Sequence, residues 1–111
     1  MISNLTNSLQ TYMDMLSMRQ KLVSSNIANA DTPGYKTQDI DTKTSFLSML
    51  TGGLAQPADV QGLTVKNDGN NVDLDREARL LAENSMKFNM AATLMKSQIA
   101  EMREAIKEGP A

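Results

Sequence analysis

The stretch Leu74 to Lys107 reads LDREARLLAENSMKFNMAATLMKSQIAEMREAIK and contains neither Gly nor Pro. Leu74, Ala78, Leu81, Ser85, Phe88, Ala92, Met95, Ile99, Met102 and Ile106 recur in a 4-3-4-3 spacing, and all but Ser85 are apolar. A row sustained in this way is the heptad pattern of a helix that packs against another helix. Asp73 is placed to cap the N-terminus, Asp75 and Glu77 put negative charge on the first turn, and Gly109-Pro110 supplies the stop. Glu83 and Lys87 stand four apart in the favourable order, as on a solvated outer face. The pattern predicts one helix over Leu74–Lys107, about 50 Å long at 1.5 Å per residue. A seven-residue repeat also asks for a left-handed supercoil with a partner.

The nearest partner lies in the same chain. From Asn4 to about Asn29 there is again no Pro or Gly, and Leu5, Leu9, Tyr12, Leu16, Val23, Ile27 and Ala30 recur in steps of three and four, with Arg19 breaking the row. Met13, Met15, Met18 and Leu22 widen this apolar surface. Two helices alone bury one face of each, and Leu80, Met90, Ala91 and Leu94 lie off the heptad row and need cover. Other chains are the expected cover, which makes the free monomer loosely ordered and marginally stable. The expected seam residues are Leu9, Tyr12, Leu16, Val23 and Ile27 on the first helix, and Leu81, Phe88, Met95, Ile99 and Met102 on the second.

Residues 31–72 between the helices are rich in Thr, Gly, Asn and Asp. Thr32-Pro33-Gly34-Tyr35 has the type II turn preference, with Pro second and Gly third. Asp39 to Leu50 reads as a short helical or extended piece, and Gly62-Leu63-Thr64-Val65 as a short strand or hairpin arm. Gly52-Gly53, Pro57 and Asp68-Gly69-Asn70-Asn71 mark loops and turns. So long a stretch with little regular structure fits a segment that becomes ordered against partners. The fold class is therefore mainly α: long N- and C-terminal helices form a coiled-coil-like pair around an irregular, partly β middle. The parts are residues 1–30, 31–72 and 73–111, taken as one structural unit.

Composition narrows the chemistry. The chain has 111 residues, no Cys, no His, nine Met and a formal net charge of −2. Thiol nucleophiles, disulfides, Cys- or His-based zinc sites and His general bases are excluded. Lys36, Lys43 and Lys66 are scattered, and Tyr12, Tyr35, Phe46 and Phe88 are too separated for base stacking, so no nucleic-acid partner is expected. Asp39 with Asp41, or Asp73 with Asp75, lacks the further oxygen ligands of a Ca²⁺ loop and reads as solvated loop and helix cap. Gly52-Gly53 lacks the Lys and hydroxyl of a phosphate loop. No catalytic residue, metal or cofactor is expected. No stretch approaches the roughly 20 continuous apolar residues of a membrane span, and Met1-Ile2-Ser3-Asn4 lacks the start of a secretory signal peptide. The nine Met suit adaptable packing against partners.

The most specific segment is Asn26-Ile27-Ala28-Asn29-Ala30-Asp31-Thr32-Pro33-Gly34-Tyr35-Lys36. Physically it is a helix end with small and amide residues, then a Pro-Gly turn and an extended exit. Ala28 and Ala30 permit close approach of a neighbouring backbone, and Asn26 and Asn29 can bond exposed backbone groups. Ser25 to Lys36 resembles the signature of the bacterial flagellar rod and hook proteins. Asp39-Ile40-Asp41, Asn71-Val72-Asp73-Leu74-Asp75-Arg76-Glu77 and Ala82-Glu83-Asn84-Ser85 are similar to the same family, while Leu50 to Gly62 matches nothing and is short for it. The resemblance implies a non-enzymatic rod subunit whose terminal helices pack into a helical tube that transmits torque through the periplasm. It implies other rod subunits, the basal-body ring and the export gate as partners, in homo- and hetero-oligomeric assembly. It also implies export without a cleaved signal peptide and no direct membrane insertion. A non-flagellar coiled-coil adaptor is the alternative.

Overall fold

The computed structural model describes residues 2–108 and runs α1 (Ile2–Ala28), β1 (Gln38–Asp39), α2 (Thr42–Leu50), β2 (Ala58–Asp59) and α3 (Leu74–Glu108). The two long helices match the amphipathic N-terminal stretch and the C-terminal heptad stretch. The stop read at Gly109-Pro110 lies outside the described residues. Asn26 meets Glu77 and Leu16 meets Asn84, so α1 and α3 run antiparallel. The particle is a rod of 71 × 25 × 17 Å.

Helix starts follow local chemistry. The Asp73 carboxylate accepts the Asp75 and Arg76 amides at 3.0 and 3.2 Å, as its position before the heptad row predicts. Asp41 caps α2 in the same way through the Thr44 amide at 3.0 Å. The middle carries less strand and more helix than its composition suggests. Gly62–Val65 is not a strand; the ribbon is two residues on each side, antiparallel, with Gln38 opposite Asp59 and Asp39 opposite Ala58.

One side of α1 is covered by the middle of the same chain rather than by another subunit. Met15, Leu16, Ile40 and Ala55 form a buried cluster, with Tyr12, Met18, Leu22, Phe46, Met49 and Phe88 packed around it. Tyr12 and Phe46 meet edge to face, with ring centroids 5.8 Å apart and planes at 89°. A polar segment achieves this because Phe46 and Met49 fall three apart on α2 and share its inner face.

The face that α3 turns inward differs from the row read in the sequence. Glu77, Leu80, Asn84 and Ala91 are buried, and Phe88, Met95, Gln98 and Met102 are half-buried. Leu74, Leu81, Ile99 and Ile106 are exposed instead. In a straight helix a seven-residue repeat drifts by about 20° per heptad. The heptad row therefore crosses the inner face at Phe88, Met95 and Met102 and stands beside it elsewhere. On α1, Leu16 and Val23 are buried and Leu9 and Tyr12 half-buried, whereas Ile27 is 38% exposed and Asn26 takes its place inside.

Candidate assembly interface

The turn that leaves α1 is built around buried amides. Asn26, 1% exposed, uses its side chain completely. Its Nδ2 donates to the Gln38 carbonyl at 2.9 Å and to Glu77 Oε1 at 2.7 Å, while its Oδ1 accepts the Gln38 amide and the Tyr35 hydroxyl, both at 3.1 Å. Both backbone groups of Gln38 are thus paired by one side chain, as a neighbouring strand would pair them. The Thr37 carbonyl, facing the other way, accepts the Val60 amide at 3.0 Å. Asn26 therefore closes the edge of β1 opposite β2.

At the C-terminus of α1 the Ser25, Asn26 and Ile27 carbonyls accept locally from Asn29 and Ala30, whereas the carbonyls just beyond the helix are satisfied from a distance. Asn70 Nδ2 donates to the Asn29 and Thr32 carbonyls at 2.8 and 2.9 Å, and Lys66 Nζ to the Ala30 carbonyl at 3.1 Å. A cation at this helix end also opposes the macrodipole. Asn71 Oδ1 accepts the Thr37 amide and hydroxyl at 2.7 and 2.9 Å. Thr37 and Asn70 are fully buried. Thr32-Pro33-Gly34-Tyr35 closes as the sequence predicts, with the Tyr35 amide on the Thr32 carbonyl and Gly34 at φ +76°. Gly69 stands against it at φ +85°, where a Cβ would come within 3.3 Å of Gly34 Cα. Lys36 Nζ bonds the Gly69 carbonyl.

An ion-pair chain lies next to these amides. Arg19 holds Asp39 through two parallel bonds of 3.0 and 2.9 Å; Arg76 reaches the same carboxylate at 2.7 Å and Glu77 at 2.6 Å. Two guanidinium groups and two carboxylates cancel in charge. Burial pushes the Asp39 carboxyl up, but the Arg19 hydrogen bonds, the Ile40 amide and the Arg19 and Arg76 partners outweigh it and hold it below its ordinary value. Burial likewise works against the Arg76 charge, and Glu77 and Asp39 reverse the balance and raise its pKa. Asp39 is thus not the solvated loop residue its sequence position suggests. Among the described residues no group of three or more acidic side chains converges as a metal site would require.

The signature residues divide by role. Asn26, Asn29, Ala30, Thr32, Gly34, Tyr35 and Lys36 enter the elbow, with Ala30 buried. Ile27 and Ala28 face outward, and Pro33 is exposed at the turn. Sequence reasoning missed Arg19, Thr37, Asp39, Asn70, Arg76, Glu77 and Asn84 as structural determinants. Arg19 alone carried a local signal, a charge interrupting an apolar row. Asn84 donates to the Leu16 carbonyl at 2.8 Å, an amide spacer between the long helices.

The geometry is thus a polar elbow that clamps two long antiparallel helices and leaves apolar residues exposed along them. Residues 13–36 match the family model described as flagella basal body rod protein. The chain is 32% identical to the flagellar basal body rod protein FlgB of Yersinia enterocolitica over 90% of its length and 91% of that protein, and equally so to FlgB of Salmonella typhimurium. It is 31% identical to FlgB of Buchnera aphidicola, over 96% of both chains. The chain belongs to the FlgB family of flagellar basal body rod proteins. The non-flagellar adaptor reading has no support in these relatives.

Proposed function

We propose that this chain assembles with copies of itself and with other rod subunits into the helical tube that forms the proximal rod and transmits torque. The observation that supports this most is the outward apolar set on α3: Leu74, Leu81, Met86, Met90, Leu94, Ile99 and Ile106 are 37–77% exposed. Single exposed apolar residues are ordinary, but rows of them along one helix are costly in water and mark contact surfaces. The seam residues then serve two ends. Leu16, Val23, Phe88, Met95 and Met102, with Leu9 and Tyr12, hold α1 and α3 together, while Ile27, Leu81 and Ile99 meet neighbouring subunits.

In this role Asn26 to Lys36 is a positioning element. It sets the angle at which the middle leaves the helix pair, so every copy presents the same faces. Residues 1–30, 31–72 and 73–111 then act as a single building block. The role needs no catalytic group or cofactor. Its neighbours are the other rod subunits, the basal-body ring and the export gate, and its place is the periplasmic rod, reached by export without a cleaved signal. No described helix is long and apolar enough to cross a membrane. A strain lacking the gene is expected to build no complete hook–basal body and to regain it on complementation. Complete basal bodies in the deletion strain refute the rod assignment.

A further inference from the structure

Folding sorts the methionines of this chain by depth. The sequence has nine Met and no Cys, so thioethers are its whole stock of sulfur. Met15 is 1% exposed in the core, and Met13, Met18, Met49, Met95 and Met102 are half-buried. Met86 and Met90 stand apart from these at 64% and 67% exposed. They lie four apart on α3, roughly 40° from one another and roughly 120–160° around the helix from buried Asn84. With Asn89 and Thr93 they line one shallow surface cleft, open to a small solute. Neither belongs to the buried cluster around Leu16. The fold therefore draws little from either side chain, and a chemical change confined to them leaves the monomer folded.

We propose that Met86 and Met90 are a reversible oxidation site of the free chain, taking oxygen from a hydroperoxide, and that the oxidised chain is barred from assembly. In the reaction a thioether sulfur attacks one peroxide oxygen. An S–O bond forms, the O–O bond breaks, and the departing hydroxide takes the proton from the new S–OH and leaves as water. Sulfur loses two electrons and the peroxide gains them. A methionine sulfoxide reductase reverses the step with a dithiol, which becomes a disulfide as water is released. Because oxidant and sulfur must touch, the order of oxidation follows exposure, with Met86 and Met90 first and Met15 last. Each sulfoxide replaces an apolar, flexible side chain by a polar one, and such a change disrupts Met-rich contacts. Burying the new oxygen without a donor is unfavourable. The effect on assembly rests on the rod reading, whereas the selectivity of oxidation rests on the monomer alone.

The test begins with the whole purified chain in hydrogen peroxide, with peptide mass spectrometry following each methionine. Met86 and Met90 are expected to gain one oxygen each about ten-fold faster than Met15 and ahead of the half-buried methionines, with helicity kept by circular dichroism. In hook–basal bodies isolated from cells and treated alike, both are expected to react about ten-fold more slowly than in the free chain. Variants then separate polarity from shape in a deletion strain. Met86→Gln/Met90→Gln, polar and of similar length, is expected to be exported normally and to cut basal-body assembly about ten-fold. Met86→Leu/Met90→Leu is expected to assemble like the parent. A double variant that loses helicity is replaced by its two single changes, read in the same way. Even oxidation of all methionines, equal oxidation of Met86 and Met90 in basal bodies and free chain, a Gln variant that assembles like the parent, or a Leu variant that fails with it overturns the proposal. Basal bodies that do not contain this chain refute the rod reading and the bar to assembly together, whereas even oxidation of the free chain refutes the site and leaves the rod reading standing.

Discussion

Asn26 at the end of α1 donates to Glu77 on the first turn of α3 at 2.7 Å, joining residues 51 apart in the chain. The bond is buried at both ends, and the same Asn26 amide pairs both backbone groups of Gln38. One side chain therefore ties together the two long helices and the start of the middle segment.

Replacing that side chain should be costly. Asn26→Asp removes both donors and sets a carboxylate against Glu77, leaving the Gln38 carbonyl unpaired. Each buried group left without a partner costs about 1–3 kcal/mol, so a loss of about 3 kcal/mol or more is expected in urea unfolding. Asn26→Asp with parental stability would show that the network contributes little.

Acid should loosen the elbow through Asp39. Its carboxyl titrates lower when folded than when unfolded. Its contribution is therefore complete above the ordinary Asp value of about 3.9 and is lost as pH falls from there through the lower folded value. Asp39→Asn should lower stability at pH 7 and flatten the fall below about pH 4. Parallel pH–stability curves for parent and variant would rule this out.

Gly34 and Gly69, two of the four described left-handed glycines, should differ. At Gly34 an added Cβ meets nothing within 4 Å, so Gly34→Ala bears only the backbone strain of about 1–2 kcal/mol. At Gly69 the same strain is joined by the approach to Gly34 Cα, and Gly69→Ala should cost more. Thermal unfolding of both variants gives the order directly.

Charges placed on α3 should separate folding from assembly. Phe88→Asp puts an unpaired carboxylate beside the cluster around Leu16 and is expected to destabilise by several kcal/mol, on the order of 3. Ile99 is 37% exposed, so Ile99→Asp should stay within about 0.5 kcal/mol of the parent while failing to enter rods. Motility of a strain carrying Ile99→Asp, alongside its unfolding curve, checks both halves. A motile strain would remove Ile99 from the subunit contacts.

The long helices, the α3 cap at Asp73 and the Thr32–Tyr35 turn were legible in the sequence because each depends on residues within a few positions of one another. Heptad spacing, a capping carboxylate and a Pro-Gly pair act locally, and no distant partner can easily override them. The resemblance of Ser25–Lys36 to rod and hook proteins was legible for the same reason, as a contiguous run. Which face of α3 turns inward was decided only in three dimensions. The heptad row drifts around a straight helix, and the buried amide of Asn84, bonded to the Leu16 carbonyl, aligns the inner face one position away from Ser85. The elbow was likewise hidden. Arg19, Asp39, Arg76, Glu77 and Asn70 are ordinary surface residue types until folding brings opposite charges and open carbonyls together, and only burial gives those long-range bonds their weight.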